Sequence, residues 1–97
     1  MSSSDESKKN MSGEVSNFPN PFNQSTTIRY RVPEDSRVKA TIYNLQGQIV
    51  NNLLVNQFQT AGLKTIDWNS DSLPSGTYLC KIEGETFYAI RKTLLTR

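Results

Sequence analysis

Short runs in which apolar and polar residues alternate, each closed by glycine, proline or a polar turn, constrain this chain more than any other feature. In Thr26-Thr27-Ile28-Arg29-Tyr30-Arg31-Val32, Ile28, Tyr30 and Val32 fall on one side of an extended backbone and the two arginines on the other. A period of two marks a strand with one dry face. Pro33-Glu34-Asp35-Ser36 is a turn with proline at its first position, and Val38, Ala40 and Ile42 then point inward. Leu45-Gln46-Gly47-Gln48 supplies glycine where a hairpin needs positive φ, and a strand over residues 49–55 returns. Beyond a turn at Gln59-Thr60-Ala61-Gly62, Ile66 and Trp68 share a face; residues 69–76 read as a polar loop; residues 76–83 and 86–95 read as a closing hairpin around Gly84-Glu85. No segment sustains a helical period. About seven short strands with turn signals at this spacing predict an all-β fold, a single antiparallel immunoglobulin-like β-sandwich.

The other constraint on the backbone is Phe18-Pro19-Asn20-Pro21-Phe22-Asn23. Two prolines remove two backbone donors and bias the residues before them to extended geometry, so no strand pairs normally through this segment. The residues before it, 15–18, are expected to form a short edge strand. The segment itself reads as a rigid turn that switches sheets with Phe22 tucked beneath it; a direct recognition epitope is the alternative.

A chain of 97 residues that is 35% hydrophobic allows one domain with a small core. Residues 1–13 are serine-rich, charged and aperiodic, and are expected to be a disordered leader or a cloning remnant, with the folded domain over 14–97. The first ten residues lack the apolar stretch of a signal peptide, and no run approaches the roughly 18 apolar residues of a membrane span. Export, if this chain takes part in it, is expected to be directed by something outside this N-terminus. A net charge of +2 is too balanced to indicate binding to nucleic acid or acidic lipid.

Candidate chemistry is sparse. With no histidine and one cysteine, the chain has no Ser-His-Asp or Cys-His arrangement, no internal disulfide and none of the usual zinc ligand sets. Cys80 shares a face with Tyr78 and Ile82 and reads as a small core hydrophobe, the alternative being a reactive thiol. Asp67, Asn69 and Asp71 have a spacing loosely like a calcium loop, but the glycine and distal glutamate of that pattern are missing. Trp68 reads as core rather than as a sugar-stacking platform. No catalytic residue, cofactor, metal or small-molecule substrate is expected.

The clamp with Ser25-Thr26-Thr27-Ile28 behind it, then Ile42-Tyr43-Asn44-Leu45-Gln46-Gly47, Gly62 with Trp68 downstream, Leu73-Pro74-Ser75-Gly76-Thr77-Tyr78, and finally Lys92 with Leu94-Leu95 follow one another in an order that resembles the type A C-terminal sorting domain of the Bacteroidetes type IX secretion system. The resemblance spans roughly residues 15–97. It implies a non-catalytic delivery signal at the end of a larger cargo protein. Such a signal crosses the periplasm, is recognised by an outer-membrane translocon, and is removed by a sortase-like surface protease, leaving the cargo at the cell surface or outside the cell. Carried over by position, Gly76 and Tyr78 would shape the presenting strand, and Lys92, Thr93, Leu94, Leu95, Thr96 and Arg97 would be the part most directly read. Pro19, Asn20, Pro21, Phe22, Gly47 and Trp68 would be structural.

The residues themselves allow a complementary account of the tail. A terminal edge strand has free N–H and C=O groups to pair with a partner, and Arg91, Lys92 and Arg97 would steer the encounter; Lys92 as an ordinary edge gatekeeper is the plainer account. Two rival functions stay open: a structural or adhesive immunoglobulin-like module, and a carbohydrate-binding module using Tyr43 and Tyr88, the aromatics expected to face outward.

Overall fold

The computed structural model describes residues 15–70 and 73–96. Its strands are β1 Val15–Phe18, β2 Ser25–Val32, β3 Ser36–Tyr43, β4 Ile49–Gln59, β5 Gly62–Asn69, β6 Gly76–Glu83 and β7 Tyr88–Leu95. They form two sheets, in the orders β1-β2-β5 and β4-β3-β6-β7, with every strand pair antiparallel. The chain changes sheet between β2 and β3, between β4 and β5 and between β5 and β6, the connection pattern of an immunoglobulin-like sandwich whose fourth strand lies beside the third.

The core follows from the alternation. Ile28, Tyr30 and Val32 of β2 face Val38, Ala40 and Ile42 of β3 and Tyr78, Cys80 and Ile82 of β6, all buried. Trp68 closes one end, with its ring centroid 5.2 Å from Phe22 and 5.9 Å from Tyr78. Its indole N–H is buried without a hydrogen-bond partner among the described residues, for which the packing offers no account. Burial pushes the Tyr30 hydroxyl above its ordinary pKa; the hydrogen bond it donates to Gln59 Oε1 at 2.6 Å offsets part of that effect, and the neighbouring Cys80 adds to it.

Turn chemistry explains the hairpin between β3 and β4. Asn44 Oδ1 accepts from the backbone N–H groups of Gln46 and Gln48, both at 3.0 Å. Gly47 takes φ +85°, the left-handed region that penalises a side chain. β4 runs four residues beyond the stretch expected for it, and its pairing with β3 shifts register at three places. Such irregularity discourages edge-to-edge pairing of a strand that exposes Val55 and Phe58. β7 starts two residues later than the alternation suggests, because Phe87 turns into the core while its carbonyl accepts from Gly84 N–H at 2.9 Å.

One expectation needs correcting. The proline segment does not switch sheets: β1 and β2, which it joins, are neighbours in the same sheet. What crosses the sandwich is its hydrogen bonding, which reaches the edge of the opposite sheet.

Candidate functional site

Residues near the two ends of the described chain form one site. Phe22 makes a parallel bridge to Leu95 of β7: its N–H donates to Leu94 O at 3.0 Å, and its carbonyl accepts from Thr96 N–H at 2.8 Å. One step earlier the backbone cannot continue this ladder, because Pro19 and Pro21 carry no N–H. The Asn20 side chain takes over. Its Oδ1 accepts from Leu94 N–H at 3.1 Å, and its Nδ2 reaches Lys92 O at 3.5 Å. A carboxamide has the donor and acceptor of a peptide group, so Asn20 stands in for the missing strand residue. Both proline peptide bonds of the clamp, Phe18-Pro19 and Asn20-Pro21, are cis.

Beneath this ladder lies Asn17, a buried polar residue on the inward face of β1. Its Nδ2 donates to Thr93 Oγ1 at 2.7 Å and to Thr26 Oγ1 at 3.2 Å, while its Oδ1 accepts from Arg91 Nε at 2.9 Å. Thr26 in turn donates to Pro19 O at 2.8 Å, and Thr93 lies 3.4 Å from Asn20 Oδ1. The set ties β1, β2 and the clamp to β7. Polar groups buried in this way stay in place only when their partners do.

The tail residues therefore fall into two groups. Thr93 and Leu95 are buried, at 3% and 0% exposure, and hold the sandwich together. Lys92, Leu94 and Thr96 are exposed on the other side of the strand. Arg97 lies outside the described residues, as do residues 1–14. The expectation of a free edge along the tail is overturned over its last residues: from Lys92 O to Thr96 N–H the outward backbone groups of β7 are already bonded to the clamp. They cannot pair with a partner strand unless the clamp leaves.

Tyr78 is buried against Trp68, and its hydroxyl donates to Pro74 O at 2.7 Å, which fixes the approach to β6. Gly76 is under no comparable constraint: a Cβ there would meet nothing within 4 Å. An open cleft of about 310 Å³ separates this loop from the β3–β4 hairpin, lined by Asn44, Val50, Leu73, Pro74 and Thr77 among others. It brings together no carboxylate, amine or thiol. The Asp67 carboxylate accepts from Thr27 Oγ1 at 2.9 Å across β2 and β5, and Asp71 lies outside the described residues. No group of three or more possible metal ligands occurs among the described residues. Cys80 is buried and its thiol is pushed up to about 12 by desolvation, so it is not a nucleophile at neutral pH. Tyr43 and Tyr88 lie by register on the outer face of the four-stranded sheet, both half-buried, with the Lys81 ammonium 5.7 Å from the Tyr88 ring centroid.

Sequence reasoning singled out Asn20 but missed Asn17 and Thr26, and it assigned Arg91 to steering a partner, whereas Arg91 is half-buried with its Nε donating to Asn17. A signal for Asn17 existed: it is a polar residue at an inward position of a strand, and such a residue must find partners when buried.

The family model described as the secretion system C-terminal sorting domain matches residues 16–96. No curated protein matches the chain.

Proposed function

Because this chain belongs to the family of type IX secretion C-terminal sorting domains, we propose that it acts as a non-catalytic address: a folded module recognised by the outer-membrane translocon and then removed by a sortase-like protease or used for surface attachment. A cargo protein bearing such a signal is destined for the cell surface or the medium. The observation that carries the reading is the extent of the match. It runs from the clamp to the tail, and these are the two segments that meet in the structure. A signal made from both ends of the domain exists only when the domain is folded. The translocon then has a physical means of telling a finished domain from an unfolded chain.

The test is a fluorescent reporter with an inner-membrane signal peptide, followed by residues 15–97, expressed in a Bacteroidetes host with and without its type IX translocon. Reporter outside the cell in the first strain, and in the periplasm in the second, is the expected result. Periplasmic retention of a folded fusion in both strains would leave a structural immunoglobulin-like module instead. Deleting residues 93–97 is a poor substitute test. It removes buried Thr93 and Leu95 together with any readable surface, and losing a buried leucine alone costs about 2–5 kcal/mol, enough to unfold a small domain.

A further inference from the structure

The saturated edge of β7 leaves its side chains as the part of the tail a partner can reach. By register, Ile49, Tyr43, Leu79 and Lys92 form one cross-strand row over all four strands of the larger sheet, on its outer face. Leu94, 40% exposed, lies in the adjoining row opposite Thr77. With neighbouring strands about 4.8 Å apart the row is roughly 14 Å long. It carries three apolar side chains and one cation.

The charges of this face are unbalanced. Lys39, Lys81 and Lys92 project from it, and Glu83 is the carboxylate that the register sets among them, 3.8 Å from Lys81. The Lys92 ammonium has no carboxylate partner among the described residues. A second copy docking face to face would bring lysines against lysines, which argues against self-association. An anionic lipid surface would favour a dense basic cluster over an apolar row with one terminal cation. A protein surface with apolar side chains and a carboxylate placed to meet Lys92 complements both properties.

We infer that the tail is read as part of a folded sheet face, Leu94 and Lys92 of β7 with Leu79 of β6 and Tyr43 of β3, by a protein partner presenting an apolar patch with an acidic rim, and not by addition of a strand to β7. This rests on the sorting-domain reading above.

The rival mode has a place of its own on the same strand. Alternation of the ladder directs the N–H and C=O of Ile90 to the outer edge of β7, beyond the reach of the clamp, where a strand could add. Proline at that position removes the outward donor without touching the β6 ladder.

The experiment compares export of the reporter fusion for the unaltered chain and for Lys92→Glu, Lys92→Arg, Leu79→Asp, Ile90→Pro and Ile90→Ala, with thermal melting of each purified chain. Exported reporter is expected to fall at least roughly tenfold for Lys92→Glu, a loss typical of a central contact turned repulsive. Lys92→Arg, Ile90→Pro and Ile90→Ala should export normally. Lys92 is exposed, so Lys92→Glu should melt as the unaltered chain does; this keeps the test decisive even if Leu79→Asp unfolds. Normal export of Lys92→Glu would overturn the inference, and loss with Ile90→Pro but not Ile90→Ala would overturn it in favour of strand addition. Binding of the purified chain to vesicles of anionic glycolipid that Lys92→Glu abolishes would overturn the protein partner. Retention of the unaltered fusion is a different failure, that of the sorting reading itself.

Discussion

Replacing Asn17 with alanine should be among the most damaging single polar substitutions in this domain. The residue is 7% exposed, and its side chain makes two close donor contacts, to Thr93 and Thr26, a third of 3.4 Å to Pro19 O that is too long to add much, and one acceptor contact, from Arg91. A neutral hydrogen bond contributes about 1 kcal/mol net and one to a charged donor about 1.5–3 kcal/mol, so simple addition gives roughly 3.5–5 kcal/mol. Two corrections lower this. Arg91 is half-buried and can recover water, and Thr26 and Thr93 keep their second partners, Pro19 O and Asn20 Oδ1. A loss of about 2–3 kcal/mol remains, which for a domain of this size lowers the melting temperature by roughly 10–20 °C. The assay is urea unfolding followed by Trp68 fluorescence, with thermal melting in parallel. A change below about 0.5 kcal/mol, the range of ordinary surface substitutions, would refute the assignment of Asn17 as the buried link between β1 and β7.

Asn20→Ala breaks bonds of the same kind at an exposed place, so water replaces them; about 0.5–1.5 kcal/mol should be lost, and hydrogen exchange should speed up at the Leu94 amide but not at Thr93. Unchanged exchange at Leu94 would contradict its bond to the Asn20 side chain. Gly84→Ala drives a Cβ into the Phe87 ring and should cost about 1–3 kcal/mol, whereas Gly76→Ala meets open space and should be neutral within about 1 kcal/mol in urea melts. Cys80 should resist alkylation at pH 8 until the protein unfolds, as followed by mass spectrometry. Its folded pKa of about 12 lies above its ordinary 9.0, so the folded state holds the proton more tightly. Its contribution to stability is then full below pH 9 and is lost as pH rises from 9 to 12, a decline that the difference between the wild type and Cys80→Ala should reveal.

Much of the fold was legible because its cause is local. The alternation in residues 26–32 and the turn residues around Asn44 and Gly47 act over a few positions, and the structure follows them closely. The buried places of Trp68, Phe22 and Cys80 were legible for a related reason: each is apolar at a position whose neighbours already point inward. The boundaries of β4 and β7 were less so, since Phe87 is drawn into the core by contacts distant in sequence.

A small antiparallel β-sandwich with a proline clamp near one end and an apolar, basic tail at the other is written in the order of residues, because hydrophobic period and backbone chemistry are properties of adjacent residues. That the clamp and the tail are one object follows from how the two sheets pack. The bonds of Asn17 to Thr93 and of Asn20 to Leu94 join residues more than 70 positions apart, and no periodicity encodes such a pairing. It arises because β1, at the edge of one sheet, lies beside β7, at the edge of the other. The same packing sorted the tail into buried Thr93 and Leu95 and exposed Lys92 and Leu94. It also closed the last residues of a strand edge that sequence alone leaves open, with the Asn20 side chain and the Phe22 backbone as the occupants.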